Sequence, residues 1–307
     1  MSEQTVSITG LYVHPVKSCA RIAVDQAVVT ETGLEWDRQW MVVDEAGGFV
    51  SQRELPKLAL VRPTLRASDL VLRAPGMLAL HLALDAIESE TRVRVWNDEV
   101  QAGDMGDLAA QWFSDFLGQR VRLARFDPEV QRVSDPRWTG DTRALTAFAD
   151  AFSLLVVSAA AIEQLNTRLK SRGVAPVQSD RFRPNLVLDG LQPHEEDWID
   201  RITFDGPEGP VVLRLVKPCT RCSIPDVDPE RGEPGHAVGD ELAAYRADAR
   251  MNGQVTFGMN AVIEDGFERS LRVGLEEFRR GRVNERQGQQ RDGHGRRQRQ
   301  GWMTIHD

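Results

Sequence analysis

The sequence predicts a β-rich α+β protein. Short β-branched and aliphatic runs recur through the first hundred residues. Polar turns separate them, and helical periodicity is confined to a few stretches. Frequent short strands of this kind build a barrel or a sandwich.

Residues 6–13 alternate in part and open the chain as a strand. Residues 22–29 follow, and 39–43 resume after the turn-prone Glu31-Thr32-Gly33. Asp44-Glu45-Ala46-Gly47-Gly48 reads as a hairpin loop into 49–52, because glycine tolerates the backbone of tight turns. Further strands are expected at 59–62, 70–72 and 92–96. Residues 108–117 are expected to be helical, since Ala109, Trp112, Phe113 and Phe116 recur three and four apart. Strand character returns at 120–125. Residues 127–141, rich in Asp, Pro and Arg, are the candidate linker. An apolar strand is expected at 152–157, then a helix to 169 with Ser158 as its N-cap. Strands at 186–188 and 211–216, a helix at 241–249 and closing strands at 254–262 and 270–273 complete the pattern. The expected organisation is one domain over 1–125, a second over 126–278 and a disordered Arg/Gln/Gly-rich tail over 279–307.

Hydrophobic content is 41% and charged content 27%, as in ordinary globular proteins. No apolar run approaches the roughly 18 residues of a membrane span, and no basic-then-apolar leader opens the chain. A cytoplasmic protein without a membrane partner is therefore expected. Net charge is −8, unevenly spread: residues 279–300 hold eight Arg against Glu285 and Asp292, a balance of +6 that leaves −14 elsewhere. An acidic body argues against nucleic acid as a partner.

The most informative segment is Lys217-Pro218-Cys219-Thr220-Arg221-Cys222, which follows the 211–216 run. It uses two of the three cysteines and one of the four lysines. A thiolate is a soft ligand and a strong nucleophile, and Arg221 and Lys217 are close enough in sequence to favour it. Several readings stay open at this point. Zinc would need two further ligands, and there is no second CxxC or HxxxH. A dithiol redox pair would favour a helix after the motif, whereas Ser223-Ile224-Pro225-Asp226-Val227-Asp228-Pro229 reads as a loop. Two structural thiols, or one thiolate on a soft metal cofactor, are the others. Lys17 and Ser18, after the first strand, make a sensible pair for phosphate. Arg38, Arg53 and Arg183 could each fork a phosphate or carboxylate. Asp226 and Asp228 are the nearby acids. No GxGxxG, P-loop, GxSxG or HExxH occurs.

These pieces stand in a fixed order. His14-Pro15-Val16-Lys17-Ser18-Cys19 precedes Asp37-Arg38-Gln39-Trp40, then Arg53 with Pro56. Ala109-Ala110-Gln111-Trp112 runs into Phe116-Leu117. Ser153-Leu154-Leu155-Val156-Val157-Ser158, Phe182-Arg183-Pro184-Asn185 and Cys219-Thr220-Arg221-Cys222 with Asp228-Pro229 follow. Over about residues 5–275 the ordered set resembles the MOSC proteins that carry an N-terminal β-barrel domain. That family includes the mitochondrial amidoxime-reducing components and bacterial YcbX-like proteins.

The resemblance implies an N-terminal MOSC β-barrel-like domain followed by a MOSC mixed β-barrel domain with peripheral helices. It implies a molybdenum cofactor (molybdopterin), with Cys222 as metal ligand and catalytic residue. Lys17, Ser18 and Arg38 are implied to hold the pterin and its phosphate. Arg53, Arg183, Asn185, Thr220 and Arg221 match positions lining the same cofactor, and Cys219 has a supporting role. The implied reaction is reduction of a small N-oxygenated (N-hydroxylated) substrate. Electrons would come from an external flavin or iron–sulfur reductase. The alternative is a carrier of molybdenum cofactor or sulfur without turnover. MOSC domains also occur fused to pyridoxal-phosphate desulfurases, for which this chain has no room. No iron–sulfur cluster is expected, since one needs four cysteine ligands and the chain has three. Nor is the membrane anchor of the mitochondrial relatives.

Overall fold

The computed structural model describes residues 5–282. Its largest element is a nine-stranded mixed sheet. In spatial order this runs Glu277–Arg282, Ile199–Gly206, Gly209–Thr220, Gln254–Asp265, Leu154–Ser158, Leu186–Asp189, Ser7–Val13 and Ile22–Ala23, with Ala247–Asp248 paired to Gln254–Asp265. One neighbouring pair is parallel, Leu154–Ser158 with Leu186–Asp189. Parallel strands need a crossover, and helix Ala159–Ser171 lies within it. The Ser158 hydroxyl caps that helix by accepting from Ala161 N.

A four-stranded antiparallel sheet holds Trp40–Val43, Arg122–Phe126, Asp98–Asp104 and Ser89–Val95. Two three-stranded sheets complete the β structure, one of Arg62–Leu65, Asp69–Arg73 and Leu80–Ala83, the other of Ser270–Arg272, Gln26–Thr30 and Gly33–Leu34. Helix Asp107–Leu117 turns Ala109, Trp112, Phe113 and Leu117 into a core shared with Trp40, Leu70 and Leu123. The architecture is thus β-rich α+β.

The first residues do not stay with their sequence neighbours. Ser7–Val13 pairs antiparallel with Leu186–Asp189, Leu11 opposite Leu186. Gln26–Thr30 pairs with Ser270–Arg272. Ile8, Leu11 and Val13 share one core with Leu154, Phe204 and Leu213. Each such buried side chain contributes roughly 1.5–3 kcal/mol. The chain then leaves this core near Asp37 and builds the four-stranded sheet.

Several local expectations shift. Residues 59–62 are not a strand: Pro56 opens a 3-10 turn, Pro56–Leu60, and the strand starts at Arg62. Proline suits a first helical position because its φ is preset and it has no N–H to leave unpaired. The expected helix at 241–249 is Ala237–Ala243 instead. Residues 247–248 pair as a strand, and Asp248 accepts from Arg250 N to start a separate turn. Residues 49–52 make one bridge, Val43 to Phe49, before turning. Residues 22–29 split into two strands. The 127–141 stretch contains a helical turn, Pro136–Thr139, capped by Asp135. Strands Leu80–Ala83, Asp98–Asp104 and Ile199–Gly206 were not expected. Residues 279–282 belong to an edge strand; the rest of the Arg-rich tail lies outside the described residues. No helix among the described residues is long and apolar enough to cross a membrane.

Candidate functional site

A cleft of about 810 Å³ opens beside the nine-stranded sheet, lined by strands Leu154–Ser158, Gly209–Thr220 and Gln254–Asp265 and by the loops around residues 17–18, 38, 49–53, 149–152 and 182–185. It brings together Lys17, Ser18, Arg38, Arg53, Arg183, Asn185, Cys219, Thr220, Arg221 and Cys222, drawn from segments spread over two hundred residues.

The first wall begins where strand Ser7–Val13 ends. Lys17 N donates to Trp40 O at 2.7 Å and Cys19 N to Val16 O at 3.0 Å. This tight turn places Ser18 in left-handed backbone, φ 67°. It sets Lys17 and Ser18 on the cleft and drops Cys19 into the core beneath. Burial pushes the Cys19 thiol up to about 12, so it stays neutral. Lys17 Nζ donates to Phe148 O at 2.7 Å and to the Asp150 carboxylate. Burial lowers its pKa, and Asp150 opposes that. Asp150 itself is held below the usual carboxylate range: enclosure opposes its charge, but the Lys17 ammonium outweighs it.

Arg38 also sits at positive φ, 50°. Its guanidinium donates to Asp37, to Asn185 Oδ1 at 2.9 Å and to Arg183 O at 3.1 Å. Asn185 Oδ1 also accepts from Leu155 N at 3.1 Å, and its Nδ2 donates to Tyr12 O at 3.2 Å. Asn185 is therefore a strut between strands as much as a cleft residue. Arg183, φ 59°, donates Nη1 to Cys19 O at 2.6 Å. Its buried Nη2 has no partner among the described residues. Burial, then repulsion from Arg38, brings its pKa down to about 10, still fully charged at neutral pH. Three cleft residues in left-handed backbone is unusual for bulky side chains and is a cost that such sites store. Arg53 stacks on Trp96 at 4.8 Å, at the rim.

The second wall is the end of strand Gly209–Thr220, which runs on through Cys219 and Thr220. Its register against Gln254–Asp265 shifts twice around Pro218. Proline has no N–H for the ladder, and bulges of this kind re-aim side chains beside sites. Cys219 is half-buried, and its Sγ accepts from Arg221 Nη1 at 3.0 Å. Arg221 Nη2 donates to Phe182 O at 3.0 Å, and its Nε has no partner among the described residues. Cys222 is exposed. All three thiols are free. Among the described residues no group of three or more His, Cys, Asp or Glu could hold a metal ion. A metal here would rest on a thiolate and on ligands it brought with it.

Lys217 does not reach the sulfurs. Its ammonium lies over Trp138 at 5.2 Å, outside the cleft lining, so Arg221 supplies the local positive charge. Asp226 and Asp228 do not line the cleft either. Asp226 accepts from Gly239 N, and Asp228 from Glu230 N, Arg231 N and Arg181. Asp150, Phe49 and Asn260 line the cleft without being named as site residues in the sequence. Asp150 is 133 residues from its Lys17 partner, a distance no local pattern bridges. Five cationic side chains, Lys17, Arg38, Arg53, Arg183 and Arg221, face the single carboxylate Asp150. In a chain of net charge −8, this is a local anion trap.

Comparison with known proteins places these features in a family. Residues 5–120 match the MOSC N-terminal beta barrel domain and residues 145–276 the MOSC domain. The chain is 35% identical over 239 residues to mitochondrial amidoxime-reducing component 1 of Mus musculus, covering 75% of this chain and 68% of that protein. It is 34% identical to mitochondrial amidoxime reducing component 2 of Bos taurus, with 75% and 69% covered. It is also 29% identical to the human molybdenum cofactor sulfurase, over 82% of this chain but only 29% of that longer protein. Among solved structures, the YUAD protein from Bacillus subtilis aligns over 89% of this chain and 94% of its own, at 13% identity and a TM-score of 0.40. On its two matched domains and its amidoxime-reducing relatives, the chain belongs to the MOSC proteins with an N-terminal MOSC β-barrel domain.

Proposed function

We propose that this protein is a molybdenum-cofactor-dependent oxidoreductase that reduces N-hydroxylated compounds with electrons from a separate reductase. One observation carries the reading. An exposed thiol, Cys222, shares a cleft with five cations, and the buried Nη2 of Arg183 and Nε of Arg221 have no protein partner among the described residues. Molybdopterin carries a phosphate and a polar pterin, which suit such donors. Soft sulfur suits its metal. The residues therefore fit the group. When bound, it supplies the two-electron redox chemistry.

This chain's own residues bind and orient. Cys222 is the thiolate ligand. Lys17, Ser18, Arg38 and Arg183 hold the anionic end, with Arg53, Thr220, Arg221 and Asn185 around it. Asp37 and Asn185 fix the Arg38 fork. In the net reaction the N–O bond breaks, two electrons and two protons are taken up, and oxygen leaves as water.

Molybdenum and pterin would be measured in protein from a cofactor-competent host, wild type beside Cys222→Ser and Arg38→Ala. The expected result is near-stoichiometric metal in the wild type, no turnover of an N-hydroxylated amidine in Cys222→Ser, and reduced occupancy in Arg38→Ala. Absence of both metal and pterin from the wild type would overturn the proposal. The sulfurase relative favours a second reading, a cofactor or sulfur carrier. It predicts no turnover with any reduced donor, with metal and pterin present if the cargo is the cofactor and absent if it is sulfur alone.

A further inference from the structure

Residues 147–150 belong to no strand or helix, so their backbone groups find partners elsewhere. Their carbonyls divide. That of Phe148 accepts from Lys17 Nζ at 2.7 Å. Those of Ala147, Ala149 and Asp150 all accept from one guanidinium, that of Arg132. Its Nη1 reaches Ala147 O at 3.0 Å and also Ala149 O, and its Nη2 reaches Asp150 O at 2.9 Å. Arg132 Nε donates to Asp98 Oδ2 at 2.8 Å, so four of the five N–H groups are engaged. The Arg132 side chain is buried, and its backbone carbonyl accepts from Thr146 N at 2.9 Å, at the foot of the same segment. Arg132 lies in the stretch whose composition reads as a linker, and it does not line the cleft.

The same four residues hold two of the cleft's cations. Phe148 N donates to Arg38 O at 3.1 Å, and the Phe148 ring is anchored edge-on to Phe126 at 5.3 Å. Asp150 accepts from Lys17 Nζ and from Trp96 Nε1, the latter at 3.3 Å. An ammonium has three N–H groups in tetrahedral directions. Phe148 O and Asp150 take two of those on Lys17, and their directions fix the third.

We propose that Arg132 is a positioning residue for the cleft: by gripping residues 147–150 it fixes the two acceptors that direct Lys17, and through them the one N–H that Lys17 offers to a bound anion. Asp98 braces Arg132 from outside. The inference rests on the reading of the cleft as the seat of an anionic cofactor, and adds to it a residue that acts through Lys17 without touching the ligand.

The chain has four lysines, so amine labelling can be read at each one by mass spectrometry. Acetic anhydride would be applied to the cofactor-free full chain. Arg132→Gln should speed acetylation of Lys17 by about tenfold or more, by letting the segment open locally, and leave Lys57, Lys170 and Lys217 unchanged. No acceleration at Lys17, or equal acceleration at all four lysines, would overturn the proposal. Asp98→Ala removes only the half-exposed brace. It should speed Lys17 a few-fold, and it decides the matter if Arg132→Gln does not fold. Pterin retention on dialysis tests the coupling in loaded protein. Lys17→Met and Arg132→Gln should each lower it, and the double variant should retain as much as Lys17→Met alone. A double variant that loses the product of the two single effects would also overturn the proposal. A wild type without pterin sinks the reading of the cleft instead, and the labelling still decides whether Arg132 positions Lys17.

Discussion

Asp37 and Glu196 are both buried carboxylates, 3% and 0% exposed, yet they titrate on opposite sides of their ordinary range. Asp37 accepts from His14 N at 2.7 Å and from the Arg38 guanidinium. Burial opposes its charge, but Arg38 and the His14 contact outweigh burial and hold the pKa low. Glu196 accepts from Ser158 N at 3.1 Å, and its other oxygen has no partner among the described residues. Burial goes largely unanswered there, and adjacent Asp197 adds repulsion, so its pKa is pushed up to about 7. The cost of leaving water is similar for both. What differs is a cation within hydrogen-bond reach. Beside the cleft the protein fixes a negative charge that aims an arginine. Beside Ser158 it keeps an acid pushed up to about 7, with no cation among the described residues in reach of its second oxygen.

The severest way to break this comparison is Asp37→Ala. It strands a buried guanidinium and should cost about 3–5 kcal/mol in urea unfolding. A cost below about 1 kcal/mol would mean Arg38 finds water instead. Next is Glu196→Gln across pH. The folded carboxyl binds its proton more tightly than the unfolded one, so its stabilising contribution is complete below about pH 4.5 and is lost as pH rises through about 7. The full difference corresponds to about 3 kcal/mol. The variant should therefore gain on the wild type between pH 5 and 8; parallel stability curves would refute the shifted acid. Asp37 has the opposite sign. Its contribution is present above about pH 4 and is lost as pH falls through its lower folded value. Acid unfolding of the wild type should thus be steeper below pH 4 than that of Asp37→Asn. The smallest effect is on Cys222→Ser, which in cofactor-free protein should stay within about 0.5 kcal/mol of wild-type stability because the side chain is exposed.

Local motifs were legible in the sequence because each is held by near neighbours. The Lys17-Ser18 turn closes on Val16. The Ser158 cap sits one residue before its helix. Cys219 and Arg221 touch across two residues. What joins these pieces was not legible. No local pattern reports that Asp150 meets Lys17 or that Asn185 braces Arg38. Lys217 shares the cysteine hexapeptide yet turns to Trp138, because the strand geometry, not sequence proximity, sets its direction. Asp98–Asp104 escaped notice because it starts with two exposed acids and ends on buried polar backbone, against the usual alternation. Residues 241–249 look helical by composition, but Arg246 is drawn to Asp197 and Thr256, contacts that override propensity.

The placement of strand Ser7–Val13 sets an order of events during synthesis. Tyr12 O must wait for Asn185, which leaves the ribosome 173 residues later. At roughly 5–20 residues per second, that is about 9–35 s with an apolar strand edge exposed. Cys222 and the Gln254–Asp265 strand behind it emerge later still. The nascent chain thus has no cleft until the segment carrying Cys222 and its partner strand have emerged, and whatever the cleft holds must arrive after that.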